Sequence, residues 1–105
     1  MSVIPYNKST KFEIFRTKAF TEWYEALDRN NQWLVDARLE RIQNEGHFGT
    51  VNRFAGLLEL KWKSGLRVYT ALRNPRILVL VGGNKNGQNK DISKAKKLLS
   101  EIDEI

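Results

Sequence analysis

The chain is 105 residues long and carries 18 Lys or Arg against 12 Asp or Glu, a formal charge of +6, with one histidine and no cysteine. That length supports one domain over residues 1–105 with a core of its own; the missing thiols exclude a disulfide scaffold and thiolate zinc sites, and His47 alone is too little for a histidine metal site, so neither metal nor cofactor is expected. No apolar run approaches the ~20 residues of a membrane span, and the opening MSVIPYNKST lacks the apolar centre of a signal peptide, so the expectation is a cytoplasmic protein without a membrane partner.

Residues 1–10 read as a lead-in without regular structure, broken by Pro5 and Ser9-Thr10. From Lys11 to Arg16, Phe12 and Ile14 alternate with Lys11 and Glu13, which predicts a first strand. Thr17 then stands where a helix N-cap belongs, and Phe20, Trp23, Tyr24 and Leu27 follow at the i, i+3, i+4, i+7 spacing of one helical face until Asp28–Asn31 breaks it. A second helix is predicted from about Asn31 to Glu45, with Leu34, Val35, Leu39 and Ile42 inward and Gly46 just past its end. Two helices joined so closely form an antiparallel hairpin, whose aromatic stripe reads as the layer covering the apolar face of a sheet. His47 reads as an ordinary loop histidine, and residues 47–57 as a connector with Asn52, Arg53 and Gly56 at turn-like positions.

Residues 58–91 hold three short strand-like runs and seven Lys or Arg against two acids, a local charge of +5. Leu58, Leu60 and Trp62 alternate with Glu59, Lys61 and Lys63; beyond Ser64-Gly65, Leu66, Val68, Thr70 and Leu72 alternate with Arg67, Tyr69, Ala71 and Arg73. A two-residue loop would pair Lys63 with Leu66 and Trp62 with Arg67, mixing charged and apolar side chains on both faces. A three-residue loop, Ser64-Gly65-Leu66, pairs Lys63 with Arg67 and Lys61 with Tyr69 and segregates the faces. One face then reads Leu58, Leu60, Trp62, Val68, Thr70, Leu72, and the other Glu59, Lys61, Lys63, Arg67, Tyr69, Arg73. The expectation is a core face and a solvent face of cations around a tyrosine. Facing like charges cost roughly 0.2–1 kcal/mol per pair, which a phosphate backbone would offset.

After Asn74-Pro75 the apolar run Ile77–Val81 predicts a strand covered on both sides or flanked by strands, ended by Gly82-Gly83. A last helix begins near Asp91, with Ile92, Ala95, Leu98, Leu99 and Ile102 on one face. Glu101, Asp103 and Glu104 oppose the helix dipole at its end, which predicts fraying there unless a partner covers it. The fold class is α+β, in the order β-α-α-β-β-β-α, with a mostly antiparallel sheet and a helical hairpin on one face.

Charge is polarised along the chain: residues 60–97 hold ten Lys or Arg and one acid, Asp91, while the remainder is net acidic. That is the footprint of a polyanion binder, weighed against a surface that is merely basic. The loop Gly82-Gly83-Asn84-Lys85-Asn86-Gly87 lacks the nucleotide-binding patterns and reads instead as a loop delivering Lys85 and Gln88 to the edge of the basic face. The cluster Lys61, Lys63, Arg67, Tyr69 and Arg73 allows passive phosphate binding. It also allows RNA cleavage by the substrate's own 2′-hydroxyl, which needs a base for that proton, cations for charge growing on phosphate, and an acid for the leaving 5′-oxygen. A lysine of ordinary basicity is a poor base at neutral pH, and crowding by like charges would weaken its hold on the proton.

The segments GLRVYTAL and ILVLVGGNKNGQNKDISKAKKLL, behind a two-helix front end, resemble the RelE/ParE toxin superfamily, and within it the HigB-type, phage-related addiction module killer proteins. The resemblance covers about residues 11–100. Its most specific parts are Gly65, Arg67, Val68 and Tyr69, and the segment carrying Gly82, Gly83, Lys85, Gln88, Lys90, Asp91, Ile92, Lys94 and Ala95; Asn84 replaces the subgroup's usual aspartate. It implies a microbial-RNase-like fold, metal-independent and ribosome-dependent cleavage of mRNA, and neutralisation by an antitoxin, a small helix-turn-helix protein encoded beside it. By position it implies Lys61, Lys63, Arg67 and Lys85 as catalytic residues, with Tyr69, Arg73, Gln88, Lys90 and Lys94 binding substrate. No tyrosine follows Tyr69, so the C-terminal tyrosine of the RelE branch has no counterpart. The ParE branch implies a different activity, inhibition of DNA gyrase without nuclease action, and a non-catalytic nucleic-acid-binding module is a third alternative.

Overall fold

The computed structural model describes residues 11–104, so the lead-in expected over 1–10 lies outside the described residues. Strand β1 (Glu13–Arg16) leads into helices α1 (Lys18–Glu25) and α2 (Arg29–Glu45). Strands β2 (Val51–Phe54), β3 (Leu57–Lys61), β4 (Leu66–Arg73) and β5 (Arg76–Asn84) follow, and a 3-10 turn (Lys85–Gly87) opens into α3 (Gln88–Asp103). The sheet order is β1-β5-β4-β3-β2, antiparallel throughout except that β1 runs parallel to β5.

Local chemistry sets the helix ends. The Thr17 hydroxyl accepts from Phe20 N at 3.0 Å and donates to Leu80 O at 2.7 Å, so the cap of α1 also fastens that helix to β5. Asp28 caps α2 by accepting from Asn31 N at 2.8 Å, which starts the helix at Arg29, two residues before the expected position. Gly46 ends it in the left-handed region at φ 74°. Within the expected connector, Val51–Phe54 forms the edge strand β2, because Ala55 and Gly56 both take positive φ (52° and 77°) and fold the chain back onto β3. Positive φ at both central residues is the two-residue hairpin turn whose twist matches that of the strands.

The sheet is buried on both faces. Helices α1 and α2 cover one, where Phe20, Val35, Leu39 and Ile42 pack on Leu60, Val68, Ile77 and Val79. Helix α3 covers the other, where Ala95 and Leu99 pack on Leu57, Tyr69, Ala71 and Leu78. This second layer corrects the expected solvent face: the strand composition is as anticipated, yet α3 lies over it. The β3–β4 register also differs, with Lys61 opposite Arg67 and Glu59 opposite Tyr69. A shift of two residues keeps every side chain on its expected face.

In β5 the ladder slips by one residue: Tyr69 faces Val81, but Thr70 faces Val79. Leu80 is the extra residue of a bulge, so the consecutive Leu80 and Val81 both join the core beneath α3. Past the bulge Gly82 turns toward α1 and Gly83 toward α3. A methyl group at Gly82 would lie 2.1 Å from the Trp23 indole, and one at Gly83 would lie 1.9 Å from Asp91 Oδ2. At the end of α3, where the acids predict fraying, Arg73 clasps Asp103 with Nε to Oδ1 at 3.1 Å and Nη2 to Oδ2 at 2.7 Å.

Candidate nucleic-acid interface

At the β3–β4 hairpin, Trp62 N donates to Leu66 O (3.1 Å) and Gly65 N to Trp62 O (3.0 Å). The loop is therefore Lys63-Ser64-Gly65, three residues long as expected but one residue earlier, and it places Gly65 at φ 106°. Lys85 N donates to Gly65 O at 2.9 Å, which docks the 3-10 turn beside the hairpin. The aliphatic stem of Lys85 runs alongside Gly65. Lys61, Lys63, Arg67 and Lys85 consequently line one open depression of about 290 Å³, together with Thr50 and Trp62. Lys63 and Lys85 are exposed, and Lys61 and Arg67 half-buried. None of the three lysines has an ion-pair partner among the described residues.

Arg67 is held from behind. Its Nη1 donates to Leu66 O (2.9 Å) and Trp62 O (3.2 Å), and its Nε stands 3.8 Å from Glu59 Oε2. Glu59, only 1% exposed, also accepts from Gln88 Nε2 at 2.7 Å and Asn52 Nδ2 at 3.1 Å. Burial pushes its carboxyl up, but the donors Gln88 and Asn52, the nearby Tyr69 hydroxyl and the charge on Arg67 outweigh burial and hold it below the ordinary range. Tyr69 is fully buried against this group, and its phenol is pushed up by desolvation and by the neighbouring Glu59. Glu59 and Gln88 lie close enough to influence the Tyr69 hydroxyl, yet neither meets it in good hydrogen-bonding geometry; it and Arg67 Nε are buried without a hydrogen-bond partner among the described residues.

No family model matches the sequence. Over 95 residues the chain is 34% identical to an uncharacterized protein of Haemophilus influenzae (strain ATCC 51907 / DSM 11121 / KW20 / Rd), a match spanning 86% of this chain and 95% of that one. The two proteins belong to one family. Coverage this complete makes the whole domain, both helical layers included, the unit of comparison.

In this member of the family, the nine residues expected to act do not all meet. Lys61, Lys63, Arg67 and Lys85 come together at the hairpin. Tyr69 is buried beneath α3 rather than solvent-facing, and Gln88 turns inward to Glu59. Arg73 sits at the opposite end of β4, occupied by Asp103. Lys90 and Lys94 are exposed on the first turns of α3. Sequence reasoning missed Glu59 as the anchor of Arg67, although an acid alternating with lysines in an otherwise basic strand was visible. It also missed Arg38, whose Nε donates to Phe48 O at 2.8 Å and whose Nη atoms donate to Lys61 O and Thr50 O, with the guanidinium 4.6 Å from the Trp62 ring centroid. Arg38 ties α2 and residues 48–50 to the end of β3 and fixes one wall of the depression; burial lowers its pKa.

Proposed function

We propose that the chain is a RelE/ParE-type toxin of the HigB-like group, a cytoplasmic, metal-independent endoribonuclease that cuts mRNA on the ribosome and is neutralised by a small helix-turn-helix antitoxin. The observation that carries this reading is the convergence of Lys61, Lys63, Arg67 and Lys85 on one open depression. Four cations around one concavity fit a phosphodiester, whose charge grows as it becomes pentacoordinate. In the reaction the substrate 2′-oxygen bonds to phosphorus as one of Lys61 and Lys63, having first given up its own proton beside the other cations, takes the 2′-hydroxyl proton as a neutral amine. The P–O5′ bond breaks, the 5′-oxygen takes a proton from a second lysine, and a 2′,3′-cyclic phosphate remains. Arg67, backed by Glu59, and Lys85 stabilise the phosphoryl oxygens.

The test is mRNA cleavage in a purified translation system, run beside DNA supercoiling by gyrase. Lys61→Ala and Lys85→Ala should each lower cleavage by roughly 10²-fold, the scale of a lost transition-state donor, without changing the fold. Arg67→Ala is a poorer probe because it strips the buried Glu59 of its counter-charge. Intact mRNA with loss of supercoiling would overturn the nuclease reading in favour of gyrase inhibition.

A further inference from the structure

A second concavity adjoins the basic depression. It is a cleft of about 200 Å³ between α2 and the segment after it, lined by Leu34, Ala37, Arg41, His47 and Trp62, with Arg38 and Gly49 behind. Trp62 lines both concavities, and Gly49 of the cleft is followed in the chain by Thr50 of the depression. The two are therefore neighbours across one side chain. Their chemistries differ. The depression holds three lysines and an arginine, suited to phosphate, whereas the cleft offers flat groups beside an apolar surface: the Trp62 indole, the exposed His47 imidazole and the exposed Arg41 guanidinium. Three of the five Arg38 N–H donors are taken by Phe48 O, Lys61 O and Thr50 O, and the guanidinium serves chiefly to hold Trp62 in place. Among the described residues, the Arg41 guanidinium is restrained only by Glu45 at 3.9 Å on the helix surface.

Given the depression as the phosphate site of the proposed nuclease, we infer that this cleft is a nucleobase subsite, taking the base of the nucleotide whose phosphate lies against Lys61, Lys63 and Lys85. Proteins that bind single-stranded RNA seat unstacked bases on aromatic rings and arginine planes beside a basic track for the backbone. A cavity below the 300–1,000 Å³ typical of drug-sized ligands suits one ring system rather than a dinucleotide. The flat groups make few demands on base identity, so purine and pyrimidine should both enter. His47 thereby acquires a binding role that its loop position alone did not suggest.

The test compares adenosine 5′-monophosphate, cytidine 5′-monophosphate and ribose 5-phosphate by NMR titration of the intact protein, following the indole N–H of Trp62 and the imidazole of His47. The two nucleotides should bind about tenfold more tightly than ribose 5-phosphate and should shift both signals, whereas ribose 5-phosphate, confined to the depression that Trp62 also lines, should leave the His47 signal in place. Arg41→Ala and His47→Ala change exposed side chains, and together they should erase the nucleotide advantage while leaving ribose 5-phosphate binding as it was. Lys85→Ala should weaken all three ligands. Absence of any base-dependent advantage in the native protein, or its persistence in the double variant, overturns the subsite. Cleavage of mRNA is scored separately: cleavage without a base advantage rejects the subsite alone, and a base advantage without cleavage rejects the nuclease reading alone.

Discussion

Glu59 and Asp91 are two partly or wholly buried acids in a basic region, and their environments drive them in opposite directions. Glu59 is held below its ordinary 4.5 because its hydrogen bonds and Arg67 outweigh desolvation. Its stabilising contribution is therefore complete above that ordinary value and disappears as pH falls through the lower folded-state value. Asp91 is raised above 3.8 by desolvation, against the opposing charges of Lys90 and Lys94. The native state favours its protonated form, so this contribution is complete below 3.8 and is lost as pH rises through the raised value. Glu59→Gln should accordingly lower stability at pH 7 by about 2 kcal/mol, the scale of a hydrogen bond to a charged group, with the deficit shrinking toward pH 3. Asp91→Asn should raise stability at pH 7 and show no gain at pH 3. Urea denaturation of the native protein and both variants at the two pH values measures each difference. Sequence alone shows each as an acid with lysines close by; what separates them is that Glu59 meets Asn52, Arg67 and Gln88, which come from other elements.

At the level of elements, the helices and four of the five strands were legible, the helices, β1, β3 and β4 from their period and β5 from its uninterrupted apolar run. Thr17, Gly46 and the alternation along β3 and β4 are local signals, and each acts locally in the structure. Strand β2 was not legible: four residues, VNRF, with two exposed in the middle, resemble a turn until Ala55-Gly56 folds them onto β3. The role of α3 as a second cover was also hidden, because Glu59, Lys61, Arg67 and Tyr69 look like a solvated face unless Glu59 and Tyr69 are known to share a buried polar group. Glycines give this level its sharpest test. Gly82→Ala forces a methyl into the Trp23 indole and should cost about 1–3 kcal/mol through overpacking. Gly56→Ala meets nothing within 4 Å and bears only the penalty of positive φ, about 1 kcal/mol. Thermal denaturation should therefore rank Gly82→Ala as the more damaging change, and the reverse order would reject the close α1–β5 packing.

Among the described residues, Lys61, Lys63, Arg67 and Lys85 gather at the hairpin end of the sheet, while Arg73, six residues along β4 from Arg67 and so about 20 Å away, is neutralised by Asp103. Binding to a short single-stranded RNA should accordingly depend on salt through the hairpin cations alone. Each phosphate contact adds roughly 0.7 to the slope of log K against log salt for a single strand. Lys61→Ala and Lys63→Ala should each flatten that slope by about this amount, whereas Arg73→Ala should leave it unchanged and lower thermal stability instead; fluorescence anisotropy across a salt series reads both. The extra residue in β5 acts on the same scale. Because Leu80 has no counterpart on β4, every position after it is out of phase with those before it, and that offset presents Gly82 to the indole, Gly83 to the carboxylate and Lys85 to the hairpin. A chain one residue shorter at this point would keep its hydrophobic run and its helices, yet the strand's final segment would be rotated to the opposite side, and Lys85 would part from the three cations of the hairpin.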